Sequence, residues 1–203
     1  LMGTVVEDAT LSLAGTKFRS RGTLLITDWG VSGPATLKLS SYAAYYLKDN
    51  DYKAHLIINY LSIDEESVRR ELGQTSESQP KKQVANTPVR GITSRLWSYL
   101  LKRSGIREDI RWAELGSKGL NRLVNTIVSD DYRVDGRCRF KEEFVTAGGV
   151  SSSEINPQTL ESKHFPGLYF AGEVLDIDAI TGGFNLQAAW STAFVVAKAL
   201  QNF

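Results

Sequence analysis

The chain has 203 residues, of which 42% are hydrophobic and 23% charged, enough for one large or two small globular domains with a sizeable core. A formal charge of only +1 argues against a nucleic-acid partner, because such surfaces normally carry a strong basic excess. No apolar run approaches the ~20 residues that cross a bilayer, and the opening LMGTVVEDATLSLAG lacks the basic-then-apolar order of a signal peptide, so no membrane partner is expected.

In chain order, TVVEDATLSLAGTKFRSRGTLLIT alternates apolar and polar residues and predicts two strands with a turn at Ala14-Gly15. Thr23 to Thr27 reads as a buried strand. Ser32-Gly33-Pro34 marks a helix entry, with proline where its missing N–H costs nothing, and Leu37, Ser41, Ala44 and Leu47 follow at helical spacing. YKAHLIINYL returns to strand. From Asp64 the texture becomes helical, with Ser62 or Asp64 as N-cap and acidic residues in the first turn. GQTSESQPKKQ reads as a loop. Two further helices follow, one carrying Ile92, Leu96, Tyr99 and Leu100 on one face, the other Leu115, Leu120, Leu123 and Ile127. Strand texture resumes at Tyr132 to Val145, and GLYFAGE reads as a short buried strand ending at Gly172. A last helix from about Asn185 to Leu200 directs Leu186, Ala189, Ala193, Val196 and Leu200 inward, with Trp190, Phe194 and Val195 at its sides.

Few side chains stand out for acid–base or metal chemistry, so no catalytic and no metal-ligating residue is assigned. The single cysteine, Cys138, cannot form an internal disulfide, which fits a reducing cytoplasm, and it reads as an ordinary strand residue. His55 and His164 read as structural or surface histidines. Thr181-Gly182-Gly183-Phe184-Asn185 is a glycine-rich turn at a helix start. Such a turn presents backbone N–H groups and the positive helix end to electron-rich oxygens. By spacing alone, a ligand-gripping turn and a plain tight turn before a packed helix fit equally well.

TAGGVSSSEINPQTLESK followed by GLYFAGEVLDIDAITGGFNLQAAWSTAF, together with GTLLITDWGVSGPATLKLSS, closely resembles the HI0933-like flavoproteins. The likeness covers nearly the whole chain; it departs at Asp28, where a histidine is usual, and at Ala179, Ala193 and Lys198, where glycines are usual. It implies an α+β chain. A β-rich, barrel-like insert (1–63) would be followed by a small helical part (64–131) and returning strands (132–145). The last strand-turn-helix piece of a Rossmann-like FAD-binding domain would occupy 146–203. Gly148 and Gly149 would let the chain pass close to FAD, Glu173 would lie near its ribityl and pyrophosphate, and Gly172 would be a further cofactor-binding residue. Thr181, Gly182, Gly183, Phe184 and Asn185 would lie against the isoalloxazine, while Asp176 and Asp178 would shape their turn.

The G-x-G-x-x-G turn that holds the dinucleotide in such proteins is absent from these 203 residues. The resemblance therefore implies a fragment of an oxidoreductase that moves hydride between NAD(P)H, FAD and an organic substrate. The chain alone is expected to be inactive and to bind FAD weakly. Its partner would be the missing N-terminal FAD-binding portion, or a second copy through the last helix. The alternative is a non-catalytic interaction or oligomerisation module built from the insert.

Overall fold

The computed structural model describes residues 1–138 and 145–201. The chain forms two compact units, Leu1–Leu39 with Leu47–Arg137 and Ser40–Tyr46 with Cys138–Phe203.

The first unit is built on β1 (Val5–Leu13), β2 (Arg19–Ile26), β3 (Val31–Ser32), β4 (Lys53–Asn59) and β5 (Asp130–Asp135). They form one antiparallel sheet in the order β3-β2-β1-β4-β5. A register shift between Val6 and Ala9 marks a bulge in β1, the kind of irregularity that bends a strand and lets a sheet curl. The turn between β1 and β2 falls at Ala14-Gly15, as the alternation predicts. The stretch expected to return as strand from Tyr132 to Val145 is shorter: β5 ends at Asp135, Cys138 lies outside any strand, and 139–144 lie outside the described residues.

Pro34 opens α1 (Pro34–Tyr42), and a break at Ala43 separates it from α2 (Ala44–Asp49). The positions read at helical spacing, Leu37, Ser41, Ala44 and Leu47, lie on helix as expected, while the buried ones are Ala35, Leu39 and Ala43. Both sets have helical spacing, so period alone does not choose between them. Asp64 caps α3 (Glu65–Ser78), its Oδ1 accepting from the Ser67 backbone N–H at 2.9 Å. The helix runs on through Gly73–Ser78, where a loop is expected. The hydroxyls of Thr75 and Ser78 donate back to the Glu71 and Gln74 carbonyls, while Val68 and Leu72 anchor the helix in the core.

Thr93 caps α4 (Ser94–Arg103), which buries Leu96, Trp97, Leu100 and Leu101. The helix α5 (Trp112–Val128) is kinked at Gly116 and buries Trp112, Leu115, Leu123 and Ile127, while Leu120 stays half-exposed. Both buried indoles are satisfied: Trp97 Nε1 donates to the Val84 carbonyl at 2.8 Å and Trp112 Nε1 to Thr87 Oγ1 at 2.7 Å. Where α4 meets the sheet, Tyr60 Oη donates to buried Asp130 Oδ2 at 3.0 Å, and the Tyr60, Tyr132 and Tyr99 hydroxyls form a chain at 3.0 and 2.9 Å. Arg103 completes the cluster, bonding Asp130 through Nε and the Asp131 carbonyl at 2.6 Å, with its guanidinium 4.5 Å above the Tyr132 ring. Burial, reinforced by Asp130 for Tyr60 and by Tyr60 for Tyr132, pushes both phenols well above the usual tyrosine range.

The second unit is sparser. Ile155, Leu160 and Leu175 form its core, flanked by Val150, Phe170, Val195 and Val196. GLYFAGE does not form the buried strand expected of it: Tyr169 makes an isolated bridge with Glu161, and Gly172–Val174 is a 3-10 turn. A strand buried on both faces needs strand neighbours, and the described residues of this unit supply only isolated bridges. The last helix, α6 (Phe184–Leu200), buries no residue. Its half-exposed side is Ala188, Ala189, Thr192, Val195, Val196 and Ala199, whereas Leu186, Ala193 and Leu200, expected inward, are exposed.

Candidate functional site

The candidate site lies wholly in the second unit. Val150 N–H donates to the Val174 carbonyl at 2.8 Å and Asp176 N–H to the Val150 carbonyl at 3.0 Å, so Gly148–Val150 runs beside Val174–Asp176. A Cβ at Gly149 would lie 2.6 Å from the Val174 carbonyl oxygen. Contact with the neighbouring chain, independent of any ligand, therefore requires glycine there. At Gly148, φ is +102° and the nearest outside atom to a Cβ would be Tyr45 Oη at 3.9 Å. That phenol donates to Asp176 Oδ1 at 3.3 Å. The Asp176 carboxylate beside it, with some burial, pushes the Tyr45 phenol up, keeping it protonated.

Gly172 N–H donates to Thr192 Oγ1 at 2.9 Å, tying the 3-10 turn to α6. Glu173 follows it, exposed and, among the described residues, with no hydrogen-bond or ion-pair partner. From Asp176 the chain turns to the start of α6, where the Asn185 amide brackets Ala179: its Oδ1 accepts from the Ala179 N–H and its Nδ2 donates to the Ala179 carbonyl, each at 2.9 Å. The Asn185 side chain is therefore a clamp on this loop. Ala179 has negative φ, so alanine is unstrained where the resembling proteins carry glycine.

Gly183 is the N-cap of α6, left-handed at φ +89° and without a side-chain cap. Among the described residues, no group accepts from the backbone N–H groups of Gly182, Gly183, Phe184, Asn185 or Leu186. Thr181 is exposed beside them. Five uncommitted donors at the positive end of a 17-residue helix suit an acceptor edge on which negative charge develops. An open groove of about 480 Å³ borders this turn, lined by Ser41, Tyr42, Tyr45, Asp178, Ala179, Ile180 and Phe184. The donor set fits the flavin that the resemblance implies: N–H groups for the isoalloxazine oxygen edge, and the Glu173 carboxylate for a ribityl hydroxyl.

Of the residues named from sequence, Thr181 to Asn185 form one turn, Glu173 follows the turn at Gly172, and Gly148 and Gly149 adjoin Leu175. Sequence reasoning missed Tyr45, which lies 131 residues from its partner Asp176; no local pattern joins them. The two histidines form exposed pairs, His55 with Asp131 at 2.9 Å and His164 with Glu154 at 2.5 Å.

A curled antiparallel sheet with a helical part, followed by a glycine turn opening a helix, makes this an α+β chain. The family model for the HI0933-like protein barrel and H2TH domain matches residues 1–145, and the chain belongs to that family. It is 31% identical over 200 residues to a ribosomal RNA dihydrouridine synthase of Haemophilus influenzae, covering 98% of this chain and 47% of that protein. It is 30% identical to the Escherichia coli protein of the same name, with the same coverage. A 3-dehydro-bile acid delta(4,6)-reductase of Clostridium scindens is 30% identical over 88% of this chain and 44% of its own length. The chain thus spans about half the length of the curated relatives it matches.

Proposed function

We propose that the whole protein to which this chain belongs is an FAD-dependent reductase. It would add hydrogen across a carbon–carbon double bond next to a carbonyl, with NAD(P)H as electron donor and uridine in ribosomal RNA as substrate. The observation that carries this reading is the start of α6, where five backbone donors without acceptors border a groove holding a protonated phenol. It is supported by the relatives' names: forming dihydrouridine and reducing a delta(4,6) bile acid both saturate such a bond.

FAD held by the residues of this turn would supply hydride-transfer chemistry, with NAD(P)H as its reductant. Gly182 to Leu186 would hold the cofactor's oxygen edge through their N–H groups, and the α6 dipole would favour the charge that gathers there. Glu173 would accept from a ribityl hydroxyl. Tyr45 Oη, kept protonated by Asp176, would give its proton to the carbon adjacent to the substrate carbonyl and regain one from solvent. The rest of the cofactor contacts would come from the portion that the relatives possess beyond this match. At about 1–3 kcal/mol per lost charged hydrogen bond, this chain alone would hold FAD weakly and turn nothing over.

The test incubates the whole protein with FAD, NADPH and an unmodified ribosomal RNA transcript and measures dihydrouridine by mass spectrometry. A gain of two hydrogens on one uridine supports the reading. Reduction of a 3-oxo-delta(4,6) steroid with untouched RNA would move the substrate class, and no flavin spectrum at all would overturn the reading. A non-catalytic oligomerisation module is the second reading, favoured by Trp190 and Phe194, which are 71% and 70% exposed on α6. A stable dimer of the whole protein that binds no flavin would support it.

A further inference from the structure

The overall charge of +1 conceals a strong polarity along the chain. Between Lys81 and Arg122 there are ten lysines and arginines against three acidic residues, a local balance of +7; the remaining residues carry fourteen against twenty, or −6. All ten of those basic residues are exposed.

The fold gathers much of this charge about the connection between α4 and α5. The Lys81–Val84 segment runs antiparallel to Ile110–Ala113. Val84 N–H donates to the Ile110 carbonyl at 2.9 Å and Trp112 N–H to the Lys82 carbonyl at 3.1 Å, which sets Lys81 and Lys82 beside Arg111. At the other end of the connection, Arg122 Nε donates to the Ser104 carbonyl at 3.0 Å, bringing α5 against the residues that follow Lys102. Lys118 precedes Arg122 by four residues, so both occupy one side of α5. None of these six basic side chains has an ion-pair partner among the described residues. Of the three acidic residues, Asp109 pairs with Arg107 at 3.5 Å and Glu114 accepts from the Arg111 backbone N–H at 3.4 Å, leaving Glu108.

We infer that this basic surface around the α4–α5 connection binds the phosphate backbone of structured RNA. The inference rests on the reductase reading above for its substrate class, and it supplies what the flavin turn lacks: a grip on a polyanion away from the reacting base. Unpaired, exposed lysines and arginines are what phosphate neutralisation needs, and such contacts position the partner without reading its sequence. Exposed Asn125, one turn beyond Asn121 and Arg122 on α5, adds a neutral side chain of the type that also contacts phosphate oxygens. The expectation of no nucleic-acid partner rests on a net charge averaged over the chain, and the average hides the segment.

The test measures binding of this chain to an unmodified ribosomal RNA hairpin across salt concentrations. Six phosphate contacts predict roughly a 10³-fold loss of affinity between 50 and 200 mM salt, and three contacts about a 40-fold loss. The triple variant Lys82→Glu, Lys102→Glu, Lys118→Glu is expected to weaken binding at least about tenfold at low salt and to flatten the salt dependence accordingly. The Gln versions of the same three are expected to lie between it and the wild type. The control, Lys17→Glu, Lys48→Glu, Lys53→Glu, changes net charge equally at exposed sites outside the segment and should bind nearly as the wild type does.

Equal losses in both triples, no loss in the first, or binding to phosphatidylserine vesicles without RNA binding would overturn the inference. A whole protein that reduces uridine in a short oligonucleotide while the first triple binds RNA normally would remove this surface and leave the reductase reading intact. Salt-dependent RNA binding through the patch without dihydrouridine would do the reverse.

Discussion

The two units solve the same problem unequally. The first closes a core around Trp97, Trp112 and Tyr60, each at most 1% exposed, with their polar atoms satisfied. The second buries only Ala43, Ile155, Leu160 and Leu175 among its described apolar residues, and its 17-residue helix leaves Phe184, Leu186, Trp190 and Phe194 all more than 60% exposed. Hydrophobic residues alone do not make a core; they need a second layer to bury against. The first unit contains both layers. The second leaves the apolar side chains of α6 uncovered among the described residues, the kind of exposed patch found at interaction surfaces.

The sharpest way to break that comparison is one substitution in each unit. Trp97→Ala should cost about 3–5 kcal/mol, because it empties a fully buried site and removes the indole N–H bond to the Val84 carbonyl. Trp190→Ala should stay within about 0.5 kcal/mol in this chain, since little of the ring is taken from water. Urea unfolding followed by circular dichroism measures both, and comparable losses would contradict the description of α6. Next in size, Arg103→Met should cost about 3 kcal/mol. It leaves Asp130, 4% exposed, with its countercharge gone and only the tyrosine hydroxyls beside it. Replacing both partners, with Asp130→Asn added, should recover part of the loss.

The same cluster gives the first unit a dependence on pH that the second lacks the burial to share. The Tyr60 and Tyr132 phenols are raised in the folded chain, chiefly by burial, while in the unfolded chain they ionise near ~10. Above that pH the unfolded state binds fewer protons than the folded one. Stability is therefore fully present below pH ~10 and falls as pH rises further, by up to about 1.4 kcal/mol per pH unit for the buried Tyr60 phenol and by less for the partly exposed Tyr132. Tyr60→Phe should remove one share of the slope between pH 10 and 11.5, and Tyr60→Phe with Tyr132→Phe both. A slope unchanged by the double variant would assign the effect to other groups.

How much of this was legible in the sequence differs by unit for the same reason. Alternation and capping located β1, β2, β4 and the N-cap of α3, because those signals are local and the finished core agrees with them. α3 runs past its expected end, with the Thr75 and Ser78 hydroxyls satisfied on the Glu71 and Gln74 carbonyls of the preceding turn, so polar residues that read as loop are accommodated in the helix. In α6 the sequence is apolar nearly all round, and periodicity has no direction to report in such a helix; Leu186 and Leu200 point away from the small core that Val195 and Val196 meet. The glycine turn was legible as a helix start. The Tyr45–Asp176 contact and the packing need at Gly149 depend on chain meeting distant chain, and no spacing rule contains them.

The smallest effect tests whether the second unit is sparse or merely uncovered. Asn185 makes two hydrogen bonds to one peptide unit pair at Ala179, both within the unit and both at 2.9 Å. Asn185→Ala should therefore cost only about 1–2 kcal/mol, spent locally in the Asp176–Gly183 loop. Hydrogen exchange at the Ala179 amide reads it directly: protection should drop about tenfold or more there, while the amides of α4 and α5 stay unchanged. In the whole protein the same variant should weaken flavin binding further, because the loop that carries Gly182 and Gly183 would no longer be held in register with the start of α6. Ala179 exchange that is already fast in the unsubstituted chain would contradict a clamp held within this unit.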